Sequence, residues 1–155
     1  MSPAVATFAA VFAALYAAHS FGDHWYGQTH RQALGKGART TQGVRHCLAH
    51  VLLLAAHKFL ALVALAMVTG LWPSLAHVAV ALAVDGVSHY WADRRYTLQA
   101  LAERTGKGDF YQLGQPRPGR DDAHHLGTGA YAMDQSWHVA WLFVTALIIA
   151  AGATG

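Results

Sequence analysis

The chain has 155 residues, of which 54% are hydrophobic and only 12% are charged. This composition excludes a disordered chain and is too apolar for an ordinary soluble domain, while the length fits a single domain. The single cysteine, Cys47, excludes an intramolecular disulfide. The formal net charge of +3 indicates nucleic-acid binding only if the basic residues line a folded soluble face.

Four long apolar segments predict four membrane-spanning helices. The first covers about 3–22 and contains no Lys, Arg, Asp or Glu, which matches the roughly 20 residues that a helix needs to cross a bilayer. The others cover about 44–70, 73–93 and 129–152 and are apolar on nearly all sides. A short helix is expected over about 94–104. We therefore predict an all-α fold in which residues 1–155 form one integral membrane domain, a polytopic four-helix bundle.

The basic residues predict how this bundle is oriented. Ten of the eleven Lys and Arg residues, all except Lys58, lie in or at the edge of two polar connections, 24–43 and 93–128. The positive-inside rule makes these connections two long cytoplasmic loops and places the N- and C-termini outside. Because topology accounts for the positive charge, we expect the lipid bilayer as a partner and no nucleic acid. The predicted location is a bacterial plasma (inner) membrane, crossed several times.

Each predicted helix carries two polar side chains four residues apart. Residues at i and i+4 share one face of a helix, and the predicted topology puts all four pairs in the cytoplasmic half. A bundle that turns these faces inward gathers the eight side chains into one cluster, a common plan for metal sites in helical bundles. The eight candidate ligands are His19, Asp23, His46, His50, Asp85, His89, Asp134 and His138.

The residue types in this cluster favour a metal site. Several carboxylates in a partly dehydrated space are costly unless they are protonated, paired or coordinated. Mixed imidazole and carboxylate ligands suit zinc, manganese, iron or nickel. We therefore predict one or two divalent transition-metal ions. The favoured ligands are Asp23, Asp85, His89, Asp134 and His138, and His19, His46 and His50 are ligands or proton-transfer partners.

Two further charged residues leave alternatives open. Lys58 lies near the middle of the second predicted helix, where it either neutralises a carboxylate or extends its ammonium group towards the bilayer surface. Asp93 follows His89 by one helical turn, so it either orients an imidazole or pairs with Arg94 or Arg95.

Three functions are compatible with the cluster. A metal ion can activate water for hydrolysis of a lipid-like or phosphoester substrate, although no catalytic residue is assigned. The same residue types serve metal-ion or proton transporters and channels, but transport requires a polar path to the outer face, and the outer halves of the helices are apolar except for His57, Lys58 and His77. The third is a non-catalytic membrane protein of a mobile element, in which the polar pairs form interhelical hydrogen bonds. Homo-oligomerisation is compatible with all three.

Four motifs carry a resemblance to a known family. They are H-S-F-G-D in the first helix, H-x-x-x-H in the second, D-x-x-x-H in the third and MDQSWH in the fourth. From Tyr16 to Leu147 the chain resembles a family of small, uncharacterised four-helix membrane proteins met in bacterial, phage and mobile-element genomes. The GKGDFYQLG and GTGAYAMDQSWH segments are similar to its actinobacterial and phage-borne branch. The residues that recur in that family correspond here to His19 and Asp23, His46 and His50, and Asp134, Gln135 and His138. The resemblance implies the fold and brings no established activity with it. A more distant similarity is to membrane-bound metal-dependent hydrolases.

Overall fold

The structure is a computed structural model that describes residues 2–115, 119 and 128–153. Within these residues helix is the only regular secondary structure, which confirms the all-α prediction. The elements are α1 (Pro3–Phe21), which continues into a π-helical segment (Gly22–Tyr26), α2 (His30–Gly35), α3 (Thr41–Thr69), α4 (Leu75–Asp93), α5 (Tyr96–Arg104), α6 (Gly108–Tyr111) and α7 (Gly129–Ala151). Part of the second polar connection, residues 116–118 and 120–127, lies outside the described residues.

Local sequence signals define the ends of the long helices. The Thr40 hydroxyl accepts a hydrogen bond from the Gly43 N–H at 3.1 Å, so α3 begins three residues before the predicted start. Gly70 ends this helix in the left-handed conformation, with φ of 72°. The short helix α2, which the sequence did not predict, begins with a capping box between Thr29 and Gln32.

The four long helices pack in a ring. α1 contacts α3 and α7, and α4 contacts the same two helices from the opposite side. The inside of the ring, away from the polar connections, is filled by one hydrophobic cluster. Its buried members are Val11, Leu15, Leu62, Val78, Ala81, Leu142, Ala146 and Ile149.

The outside of the ring is apolar as well. Leu52, Leu60, Met67 and Val68 on α3 are 63–86% exposed, whereas monomeric soluble proteins rarely expose contiguous apolar surface of this kind. In the described part of the chain three helical segments are long and apolar enough to cross a membrane: Pro3–Tyr26, Thr41–Thr69 and Gly129–Ala151. α4 is not among them, since polar residues lower its hydropathy. These features indicate a membrane protein.

The π-helical segment shapes the polar end of the ring. The Gly27 N–H donates to the Gly22 carbonyl at 2.5 Å, and this wide turn keeps Asp23 on the buried face. Such π-helical turns are frequent at functional sites. Gly27 is buried, and a Cβ added to it would collide with the Gly22 carbonyl.

We predict that Gly27→Ala destabilises the fold by about 1–3 kcal/mol, because the added methyl group forces the backbone apart. Gly86→Ala is the matched control. Its Cβ would meet only the Val51 side chain, at an ordinary 3.5 Å, and alanine is the better helix former by roughly 1 kcal/mol. Thermal unfolding in mild detergent measures both variants. Equal unfolding temperatures would contradict the close approach at Gly27.

Candidate metal centre

Four potential ligand atoms from three segments of the chain converge at the polar end of the ring. His50 Nε2 lies 3.1 Å from His89 Nε2, 3.1 Å from an Asp23 carboxylate oxygen and 3.2 Å from an Asp93 carboxylate oxygen. His89 Nε2 lies 3.1 Å from the same Asp93 oxygen. All four residues are buried. These distances are close to the roughly 3.3 Å between ligand atoms in a tetrahedral zinc site. Two overlapping groups of three side chains are close enough to hold a metal ion: Asp23, His50 and His89, and His89, Asp93 and His138.

The number of available protons also favours a cation between these atoms. His50 Nδ1 contacts the Gly27 carbonyl at 2.7 Å, and a carbonyl only accepts, so this nitrogen carries a proton. His50 Nε2 faces two carboxylate oxygens and a second imidazole nitrogen. If Nε2 is protonated as well, it offers one N–H to these three neighbours. A metal ion bound between them would satisfy these contacts at once.

Further contacts hold the carboxylate of Asp23 in place. The Gln28 side-chain amide donates to the Asp23 backbone carbonyl at 3.1 Å and to Oδ1 at 3.4 Å. From α7, the Gln135 amide donates to Asp23 Oδ2 at 3.2 Å. Together with the bond from His50 Nδ1 to a backbone carbonyl, these are the outer contacts that orient ligands in metal sites.

A lysine from the first polar connection partly neutralises the cluster. Lys36 Nζ lies 2.8 Å from Asp93 Oδ1, and both side chains are buried. The three carboxylates of Asp23, Asp93 and Asp134 and the one ammonium group give a formal charge of −2 with neutral histidines. One divalent ion would bring the formal charge of these four side chains to zero.

A second group of side chains adjoins the first on the α7 side. His138 Nε2 lies 3.8 Å from Asp93 Oδ1 and 3.4 Å from an oxygen of Asp134, and its ring stacks on His89 at 3.9 Å. His19 lies beside both rings, at 5.0 Å from His138 and 5.4 Å from His89. Neither nitrogen of His19 has a hydrogen-bond partner in the described part of the chain, although the side chain is buried. This group extends the imidazole-rich surface beyond the four converging atoms.

A cavity of about 360 Å³ adjoins the cluster on the side of the polar connections. Asp23, Asp93 and Asp134 line it together with Lys36 and Tyr111. Burial raises the pKa of the Tyr111 phenol, and the nearby Asp134 carboxylate acts in the same direction, so the phenol stays a hydrogen-bond donor near neutral pH. A ligand can therefore reach the cluster from the side of this cavity, whose wall offers hydrogen-bond donors and acceptors.

The structure brings six of the eight predicted residues together. They are His19, Asp23, His50, His89, Asp134 and His138. Asp85 lies one turn deeper, and its carboxylate forms an ion pair with Lys58 at 2.6 Å. His46 lies apart, half-buried, with Nδ1 3.2 Å from the Arg31 carbonyl. Geometry therefore places Asp85 and His46 outside the cluster.

Sequence reasoning underrated Asp93, which contacts more of the cluster's histidines than any other carboxylate. Pairing with the adjacent arginines does not occur: Arg94 donates to the Ala38 carbonyl and Arg95 to the Ala33 carbonyl, each at 2.6 Å. The spacing of Asp93 from His89 is the same i, i+4 signal that identified the other pairs. The sequence did not predict Lys36 as a member of the cluster. It lies in a polar connection, where the positive-inside rule already accounts for basic residues.

No family model matches the chain, and neither a curated protein nor a solved structure matches it. The family resemblance stays a prediction, and a functional assignment depends on the geometry of the cluster.

The buried pair of Lys58 and Asp85 makes a prediction about stability. Asp85→Asn leaves an unpaired ammonium group in the apolar ring, so we expect a loss of about 3–5 kcal/mol. The double variant Lys58→Met/Asp85→Asn removes both charges and recovers most of that loss. Unfolding in detergent, followed by circular dichroism, compares the variants. If the double variant is no more stable than Asp85→Asn, the ion-pair account is wrong.

Proposed function

We propose that the chain is an integral membrane protein whose four long helices all cross the bilayer, with a divalent transition-metal ion bound at their cytoplasmic ends. Asp23, His50, His89 and Asp93 are the ligands in this proposal. The convergence of their four atoms around His50 Nε2 is the observation that carries it. α4 belongs among the spanning helices because it packs between α3 and α7 and turns its polar residues inward.

Tests of metal content follow directly. Protein purified without a histidine tag is expected to contain about one equivalent of a transition metal, because the proposed ligands surround a single ion. Asp93→Asn should lower the affinity by more than about 100-fold, since even outer contacts of a metal site are worth 10-fold to 100-fold. Elemental mass spectrometry after dialysis measures both.

His46→Ala is the control for this test, because it removes a histidine of the same helix that lies outside the cluster. It should retain the metal of the parent protein. A parent that stays metal-free after reloading, or an Asp93→Asn variant that is folded and fully loaded, would overturn the proposed ligand set.

The chemistry we propose at this site is hydrolysis of a phosphoester or lipid-like substrate. Bound there, a divalent ion would take water as a further ligand beside the protein side chains, would lower the pKa of that water and would stabilise charge on a phosphoryl oxygen. Hydrolysis then adds a hydroxyl group to phosphorus and transfers a proton to the departing alcohol. Asp134 lines the cavity and has its carboxylate 3.4 Å from His138 Nε2. It is the residue best positioned to accept a proton from the attacking water.

This role predicts that Asp134→Asn lowers kcat for a soluble phosphodiester, bis(4-nitrophenyl) phosphate, by about 10²-fold to 10⁴-fold. Its metal content should stay at the parent level, because the four proposed ligands are intact. Steady-state kinetics beside elemental analysis separates the two effects. Loss of the metal in Asp134→Asn would instead make this residue a ligand.

Transport of metal ions or protons is the competing function. Its specific support is the buried pair of Lys58 and Asp85, which lies deeper in the ring than the cluster. Beyond this pair the interior is occupied by the hydrophobic cluster around Leu15 and Leu142, and the half-buried His77 near the far end of α4 is separated from the pair by that cluster. A one-sided opening therefore favours hydrolysis over transport.

A further inference from the structure

A groove on the outer surface of the ring approaches the metal centre from the side. It lies between α1 and α7 and has a volume of about 550 Å³. Tyr16 and Ser20 line one wall, and Val139 and Ala140 line the other. Both helices belong to segments that are apolar and long enough to cross a membrane. In the proposed membrane arrangement, the groove opens to the acyl chains of the bilayer.

The same groove reaches the cavity beside the cluster. His24, Tyr131 and Gln135 line both spaces, so the groove and the cavity share these three side chains as a common wall. His24 Nε2 and the Tyr131 hydroxyl form a hydrogen bond of 2.8 Å that joins the π-helical segment to α7. Both residues are exposed, so this contact can open without disturbing the core. Gln135 contacts Asp23 directly, and His19 lies at the inner wall of the groove.

The formal charge of the cavity lining indicates which kind of polar group the cavity can bind. Its lining carries three carboxylates, from Asp23, Asp93 and Asp134, and two basic groups, from Lys36 and Arg95. With one divalent ion the formal sum is +1. A singly charged anion brings this sum to zero, and a phosphodiester carries one negative charge.

We propose that the substrate is a phosphodiester lipid of the surrounding bilayer, with its acyl chain in the groove between α1 and α7 and its phosphate beside the metal centre. This inference rests on the proposed function, and it adds the substrate class and the route of entry. In this proposal the hydrogen bond between His24 and Tyr131 breaks when the lipid headgroup moves from the groove into the cavity.

The test compares three probes on the metal-loaded full chain by native mass spectrometry. They are phosphatidylglycerol, a diacylglycerol with the same chains, and glycerophosphoglycerol, which has the headgroup alone. Because the proposal requires both parts of the lipid, each incomplete probe should bind at least about tenfold more weakly than phosphatidylglycerol, a difference of 1.4 kcal/mol. Equal binding of glycerophosphoglycerol and phosphatidylglycerol would overturn the groove as a chain-binding site.

Variants locate the binding surface. Ala140→Trp fills the groove, and Ser20→Trp fills it from the opposite wall; both positions are exposed, so neither tryptophan enters the core. Each should weaken phosphatidylglycerol binding at least about tenfold and leave metal content unchanged. Ala83→Trp is the matched control, since it fills a separate apolar groove between α4 and α7, and it should bind the lipid like the parent.

The outcomes separate this inference from the proposed function. If phosphatidylglycerol binds as described but is not cleaved, hydrolysis fails and lipid recognition stands. If bis(4-nitrophenyl) phosphate is cleaved while both groove variants bind phosphatidylglycerol like the parent, hydrolysis stands and the lateral entry of lipid is wrong.

Discussion

The arrangement at the polar end of the ring depends on one constraint: His50 Nε2 has three polar neighbours at 3.1–3.2 Å and at most one proton to share with them. Two of those neighbours are carboxylate oxygens, which accept hydrogen bonds and donate none when they are ionised. In a buried setting each unsatisfied contact costs free energy. A single cation would resolve the conflict, and the contacts from Gly27, Gln28, Gln135 and Lys36 hold the side chains around the position that it would take.

The rest of the fold provides the conditions that such a site requires. The apolar outer surface indicates a membrane protein, and in the proposed arrangement lipid would keep water away from the sides of the charged cluster. The hydrophobic cluster inside the ring closes the opposite end. The first polar connection folds back over the site, because α2 delivers Lys36 to Asp93. Access is left to the cavity on the loop side and to the groove between α1 and α7.

The sequence predicted helix content and the existence of a polar cluster well, because both follow from periodicity. Four-residue spacing predicted that Asp134 and His138 are neighbours on one face, and their side chains lie 3.4 Å apart. On α4 the same spacing occurs twice, from Asp85 to His89 and from His89 to Asp93, and periodicity alone does not choose between them. The depth of each residue in the ring decides which aspartate joins the cluster. Asp85 lies deeper and pairs with Lys58, whereas Asp93 lies at the level of His50 and contacts it.

Loop residues were beyond this kind of reasoning. His46 and His50 share a helical face, yet His46 lies nearer the start of α3 and contacts α2 through the Arg31 carbonyl. Lys36 and Gln28 reach the cluster only because the first connection folds back, and no local pattern encodes that return. The sequence pattern also did not predict the π-helical segment, although this segment determines where Asp23 and the Gly27 carbonyl lie.

The most direct test of the central claim is X-ray absorption spectroscopy at the metal edge of tag-free protein in mild detergent. Binding by Asp23, His50, His89 and Asp93 predicts a shell of about four nitrogen and oxygen atoms at roughly 2.0–2.1 Å, with the scattering signature of two imidazoles and no sulfur. A sulfur shell would implicate Cys47 and contradict the account. So would a metal surrounded by water oxygens alone, since that would leave the convergence of the four side chains without its ion.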